Sequence, residues 1–168
     1  MARAFPSFAL RPFLIEDTPL LAEIFRASIE GLAADDYSEG QQKAWASAAD
    51  DEEAFGQRLA GQLTLLVTMN GSPVGFASLA GTEAIDMLYV HPAVAGQGAG
   101  RMLYEAVEKI SAARGTPHLS VDASDTARDF FSRRGFEPEQ RNTVSVGNAW
   151  LSHTTMKKKL VTEKGTLQ

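Results

Sequence analysis

The chain has no cysteine. That removes disulfides, thiol nucleophiles and every zinc site built on thiolates. The three histidines, His91, His118 and His153, are scattered without metal-ligand spacing, so no metal is expected. No run approaches the roughly 20 apolar residues that a membrane helix needs. The opening stretch, Met1 to Phe8, lacks the apolar core and small-residue cleavage site of a secretory leader. A cytoplasmic protein with no membrane partner is expected. Positive charge is also scarce: a formal net charge of −5 argues against a general nucleic-acid surface, which would want clustered Lys and Arg. The one basic cluster, Lys157-Lys158-Lys159, falls near the end of an expected edge strand, where lysines blunt aggregation.

What is present suits one domain. A chain of 168 residues, 44% of them hydrophobic, can bury a proper core, so residues 1–168 read as one unit with a frayed tail over 161–168. Phe8 to Leu14 reads as a strand, with Pro12 placing it at an edge or ending its pairing early. Thr18-Pro19 is an N-cap and first-turn pair, Leu20, Leu21, Ile24, Phe25 and Ile29 follow at helical spacing, and Gly31 closes the helix. Ser38-Glu39-Gly40-Gln41 fits a capping box for a helix carrying Ala44, Trp45 and Ala48. Glu52 to Gly61 is another helical segment. Leu63 to Met69 and Val74 to Ala80 form a hairpin through Asn70-Gly71.

Glu83 to His91 is an apolar strand of the kind covered on both faces. A helix follows it to Arg114, with Ala99, Met102, Leu103, Ala106, Val107 and Ile110 on one face. Pro117 to Asp122 is a fifth strand, and Ser124 caps a short helix that ends at Gly135. Phe136 to Val146 and Trp150 to Leu160 are the last two strands. This order predicts an α/β (α+β) fold, a mixed central sheet of about seven strands with helices on both faces. An exposed final strand would allow a homodimer.

The chemistry concentrates in Ile85-Asp86-Met87-Leu88-Tyr89-Val90-His91-Pro92 and the loop Ala95-Gly96-Gln97-Gly98-Ala99-Gly100-Arg101. A strand, a glycine-rich loop and a helix start form an anion-binding arrangement: the glycines leave amides unobstructed, and the helix adds unpaired donors and a positive dipole end. The other reading is a turn that merely lets strand and helix pack closely. Two named phosphate loops fail, because the dinucleotide fingerprint needs Gly where Arg101 stands and no Gly-Lys-Ser/Thr ending exists.

Taken together, the strand, Val-His-Pro, the Gly-x-Gly turn and the amphipathic helix resemble the acyl-CoA loop of the GNAT superfamily of N-acyltransferases. The family's Arg/Gln-x-x-Gly-x-Gly/Ala falls on Ala95 to Gly100, with Ala95 replacing the usual Arg or Gln. A second segment, Ala127-x-x-Phe130-Phe131-Ser132-Arg133-Arg134-Gly135-Phe136, resembles the family's Ala-x-x-Leu-Tyr-x-x-x-Gly-Phe. Tyr37-Ser38 with Gln41 and Trp45, Ile85 to Leu88, and Asp122-Ala123-Ser124 further resemble a small bacterial subgroup of the YafP type.

The resemblance implies an N-acetyltransferase that moves an acetyl group from acetyl-CoA to a primary amine of a small molecule or protein. A CoA-binding sensor without turnover is the alternative. It also implies that Met87, Leu88, Tyr89 and Val90 hold the pantetheine arm through their backbone, that the 95–101 loop binds the pyrophosphate with Arg101 as its side-chain contact, and that Tyr104 lies nearby. Asp86 is the candidate base, or else a carboxylate paired to a neighbour or facing a wet cleft. The usual tyrosine acid maps onto Phe131, which has no proton to give, and the family's Asn onto Ser124, a cofactor contact or simply a helix cap. Tyr37 is the substitute acid or a core tyrosine. Trp45 lines the acceptor site or packs in the core, and Arg141 attracts an acidic acceptor or forms a surface ion pair.

Overall fold

The computed structural model describes residues 7–160. The tail expected from Val161 lies outside them, as do residues 1–6. Seven strands, β1 (Phe8–Pro12), β2 (Leu63–Met69), β3 (Ser72–Ala80), β4 (Ala84–Val90), β5 (His118–Ser124), β6 (Glu137–Val146) and β7 (Ala149–Lys159), form one sheet. Their spatial order is β1-β2-β3-β4-β5-β7-β6. The helices are α1 (Thr18–Leu32), α2 (Glu39–Ala46), α3 (Glu52–Ala60), α4 (Ala99–Ala113) and α5 (Arg128–Ser132).

Each face of the sheet is closed by an apolar stripe. Phe25 of α1 and Leu59 of α3 pack with Leu66, Phe76 and Met87 on one side. Leu103 and Val107 of α4 pack with Val67, Leu79 and Leu119 on the other. The mixed sheet with helices on both faces is therefore the architecture that the periodicities predict. Asn70 and Gly71 both take positive φ, 53° and 85°, as a two-residue hairpin of the favoured twist requires.

All neighbouring strands run antiparallel except β4 and β5, which are parallel and pair only at Ala84↔Ser120 and Ile85↔Val121. Beyond those positions the two strands part. On its other edge β4 carries a bulge: Ile85 faces Leu79 and Met87 faces Ser78, which leaves Asp86 with no opposite residue. A bulge bends and twists its strand, and here it lies where the separation begins.

Several local expectations need correction. Thr18 does not cap α1; Asp17 occupies that position, and the Thr18 hydroxyl donates to the Ile15 carbonyl at 2.7 Å. Gly31 does not end the helix but lies in its last turn, where a Cβ would meet Pro92 Cγ at 2.5 Å. Ala48 falls in a 3-10 turn after α2. The final strand β7 is not an edge, since β5 and β6 flank it. Lys158 accordingly pairs with Glu108 at 2.6 Å and Lys157 with Glu139 at 3.4 Å instead of guarding a free edge. The open edges are β1 and β6, so the expected dimer contact through the final strand has no basis in this sheet.

Candidate active site

Where β4 and β5 part, the sheet opens into a cavity of about 700 Å³, well within the size of small-molecule sites. One end is the glycine loop. Gly98 is the N-cap of α4 at φ 95°, with no side chain capping the helix, and Gly96 has φ 78°. The first helical bond runs from Met102 N–H to the Gly98 carbonyl at 3.0 Å. The amides of Ala99, Gly100 and Arg101 therefore lack a partner among the described residues, and the space beside Gly96 and Gly98 is open. Unpartnered donors at the positive end of a 15-residue helix favour an anion.

Cations gather at the same end. Arg101 lines the cavity while its Nε donates to Glu105 at 2.9 Å, and its side chain is 70% exposed. Arg133 and Arg134 also line it, the Arg134 guanidinium lying 3.7 Å from the centre of the Phe130 ring. Sequence reasoning singled out Arg101 and passed over this second pair, although both stand inside the Ala127 to Phe136 segment. Ala95, Gly96, Gly98 and Gly100 line the cavity. Gln97 turns back toward the Ala93 carbonyl, and Ala99 is buried on the core face of α4. Tyr104 does not accompany the loop: it is buried and accepts a hydrogen bond from Lys158 at 3.3 Å.

Along β4, Asp86, Leu88, Tyr89 and Val90 line the cavity, whereas Met87 is buried under α1 and α3. Because β5 leaves β4 after Ile85, one backbone edge of Met87 to Val90 has no strand beside it among the described residues. Asp86 is paired: Arg58 Nε and Nη2 and Gln62 Nε2 all donate to its carboxylate at 2.9 Å. Of the alternatives read from sequence, its side chain combines two, an ion pair and a place on the cavity wall.

The aromatic residues form a connected wall. Trp45 Nε1 donates to the Tyr89 hydroxyl at 3.2 Å, and the rings of Tyr37 and Trp45 lie 5.3 Å apart. Burial pushes the Tyr89 hydroxyl up to about 12, so it stays protonated. Tyr37 is buried; its hydroxyl donates to the Ser152 carbonyl at 2.7 Å and accepts from the Asp125 amide at 2.9 Å. Its proton is already engaged. Ser124 lines the cavity and its hydroxyl accepts from the Ala127 amide at 3.1 Å. It caps the turn ahead of α5, which begins at Arg128. Phe131 is buried between Tyr104, Phe130 and Phe136.

Arg141 is not on the cavity wall. It donates to both oxygens of Asp125, at 2.8 and 3.0 Å, and holds that carboxyl below the usual range. Sequence reasoning also gave no site role to His153 or Asp122, both on the wall. No spacing announces them, because only the β5–β7 register sets Thr155 opposite Asp122 and His153 opposite Ser124. Among the described residues, no group of three or more His, Asp or Glu side chains is placed to hold a metal ion.

Comparison with known proteins agrees with this geometry. Residues 33–160 match the family described as acetyltransferase (GNAT) domain. An uncharacterized N-acetyltransferase of Escherichia coli, YafP, is 32% identical over 150 residues, 89% of this chain and 95% of the relative. The crystal structure of a GCN5-related N-acetyltransferase from Rhodopseudomonas palustris is 58% identical with a TM-score of 0.90, covering 95% of this chain and 99% of that one. A PaiA N-acetyltransferase from Thermoplasma acidophilum, solved with coenzyme A, shares the fold at 22% identity and a TM-score of 0.75, over 91% of this chain and 99% of that one. On the length of the family match and of these likenesses, the chain belongs to the GNAT acetyltransferase family.

Proposed function

We propose that the protein is an acetyl-CoA-dependent N-acetyltransferase that moves the acetyl group to a primary amine of a small molecule or protein. The observation that carries this reading is the meeting, in one cavity, of an unpartnered helix start and the unpaired edge of β4. The amides from Gly98 to Arg101, with Arg134 beside them, take the pyrophosphate. The pantetheine arm pairs with the backbone of Leu88 to Val90 as the missing strand would. Amides near Met87 and Leu88 then polarise the thioester carbonyl, and catalysis draws chiefly on proximity and on that preset dipole.

Trp45 and Tyr89 form the acceptor side of the cavity. Arg141, tied to Asp125 away from the wall, is left out of the acceptor site. Asp86 is assigned to shaping the bulge, since each of its oxygens already accepts from Arg58 and would lose a hydrogen bond on taking a proton. Tyr37 is assigned to holding the wall together. A cytoplasmic setting fits a thioester co-substrate, and no helix among the described residues is long and apolar enough to cross a membrane.

The test is release of free thiol from acetyl-CoA in the presence of a panel of primary amines, with CoA affinity measured by calorimetry. Amine-dependent thiol release is expected. Tight CoA binding with no release for any amine would replace the enzyme by a CoA-binding sensor, the reading that the buried Phe131 favours.

A further inference from the structure

Across the cavity from β4, one histidine is left without a task. His153 on β7 lines the cavity, opposite Ser124, where β5 has left β4. Its Nε2 faces Asp122 Oδ2 at 3.8 Å. Asp122 is held from behind: its Oδ1 accepts from the Thr155 hydroxyl at 2.7 Å, and that hydroxyl accepts from Asn142 Nδ2 at 2.9 Å. Three strands thus converge to fix a carboxylate beside an imidazole. The sequence scatters these residues from 122 to 155.

Resting on the acetyltransferase reading, we propose that His153 is the general base for the acceptor amine and that Asp122 is its positioning residue. In the tautomer that carries its proton on Nε2, the nitrogen facing Asp122, the lone pair sits on Nδ1. As the amine nitrogen bonds to the thioester carbonyl carbon, the C–S bond breaks and its electron pair stays on sulfur. The nitrogen's proton passes to Nδ1 and leaves from there to the thiolate or to water, giving the amide and the free CoA thiol. Histidine is the side chain that exchanges a proton between about pH 5 and 8. Asp86 is less suited, because Arg58 and Gln62 occupy its oxygens.

The other charged groups near the imidazole are accounted for. Asp125, at the β5–α5 turn, is paired with Arg141 of β6 at 2.8 Å. The residue opposite His153 on β6 is the neutral Asn142. Tyr37 approaches β7 next to His153, with its proton on the Ser152 carbonyl. Among the described residues, Asp122 is the carboxylate that forms an ion-pair contact with the ring, at 3.8 Å.

The experiment is the pH profile of kcat/KM for the unaltered protein, H153Q and D122N. Acetyl-CoA is used with tyramine, glycinamide and a lysine-containing peptide as acceptors, and CoA affinity and Tm are measured alongside. H153Q should lose roughly 100-fold in kcat/KM near neutral pH and should lack the ionisation between about pH 5 and 8, with CoA affinity unchanged. D122N should lower kcat while leaving KM for the amine and CoA affinity unchanged, as expected of a group that acts only by orienting the base. An H153Q enzyme that keeps the wild-type rate and profile, or a D122N enzyme with unchanged kcat, overturns the assignment. If the unaltered protein releases no thiol with any acceptor, acetyl transfer itself fails and the base with it; transfer that is indifferent to both substitutions sinks only the base.

Discussion

Replacing Tyr37 by Phe separates a structural tyrosine from a catalytic one. The substitution removes a single oxygen and with it two hydrogen bonds, to the Ser152 carbonyl at 2.7 Å and from the Asp125 amide at 2.9 Å. The ring keeps its edge contact with Trp45 at 5.3 Å, so little apolar burial is lost. At about 0.5–1.5 kcal/mol net for each bond, the loss of stability should be about 1–3 kcal/mol. In a domain of this size 1 kcal/mol corresponds to about 2–4 °C, so Tm should fall by several degrees. The bonds tie the segment before α2 to β7 and to the β5–α5 turn, so the acceptor wall loosens. KM for the amine should therefore rise more than kcat falls. Differential scanning calorimetry and steady-state kinetics read both quantities. An unchanged Tm with a kcat lowered roughly 100-fold, the signature of a lost acid, would refute the reasoning and return Tyr37 to the chemistry.

Three further outcomes follow from the same geometry. Gly98→Val forces a branched residue into φ 95° and covers the amides at the helix start; losing one charge-assisted bond, about 1.5–3 kcal/mol, should weaken CoA at least about tenfold. Near-normal affinity by calorimetry would count against the loop as the pyrophosphate site. Asp86→Asn, in a partly exposed pair with Arg58, should change stability by less than about 1 kcal/mol and lower kcat only slightly; a collapse of kcat with CoA affinity intact would make Asp86 the base after all. Asp17 is held below the usual carboxylate range by its hydrogen bonds to Arg11. A depressed carboxyl contributes its full stability above the unfolded value of about 3.9 and loses it as pH falls through the folded value. Tm should thus drop on acidification below about pH 4, less steeply in D17N, and an identical acid limb in the two proteins would exclude this pair.

The sequence by itself determined the parts whose physics is local. The capping box at Ser38 and Gln41 closes within one helical turn, with Ser38 Oγ accepting from Gln41 N at 3.1 Å and Gln41 Oε1 accepting from Ser38 N at 2.8 Å. The Asn70-Gly71 turn needs only two residues that tolerate positive φ, and the bare amides at the start of α4 need only glycines followed by a helical stripe. The unbroken apolar run at Glu83 to His91 and the order of strands and helices likewise predicted a sheet covered on both faces. Tertiary structure alone decided which strand is an edge and what each polar side chain touches. β7 inserts between β5 and β6, which turned the expected edge lysines into partners of Glu108 and Glu139. Asp86 found Arg58, 28 residues away in the chain, and Tyr37 found Ser152, 115 residues away. His153 met Asp122 only through register. The reason is that helix period, turn and cap act through neighbours a few residues apart, whereas a cross-sheet partner is chosen by strand order and bulge position, which leave no periodic trace along the chain.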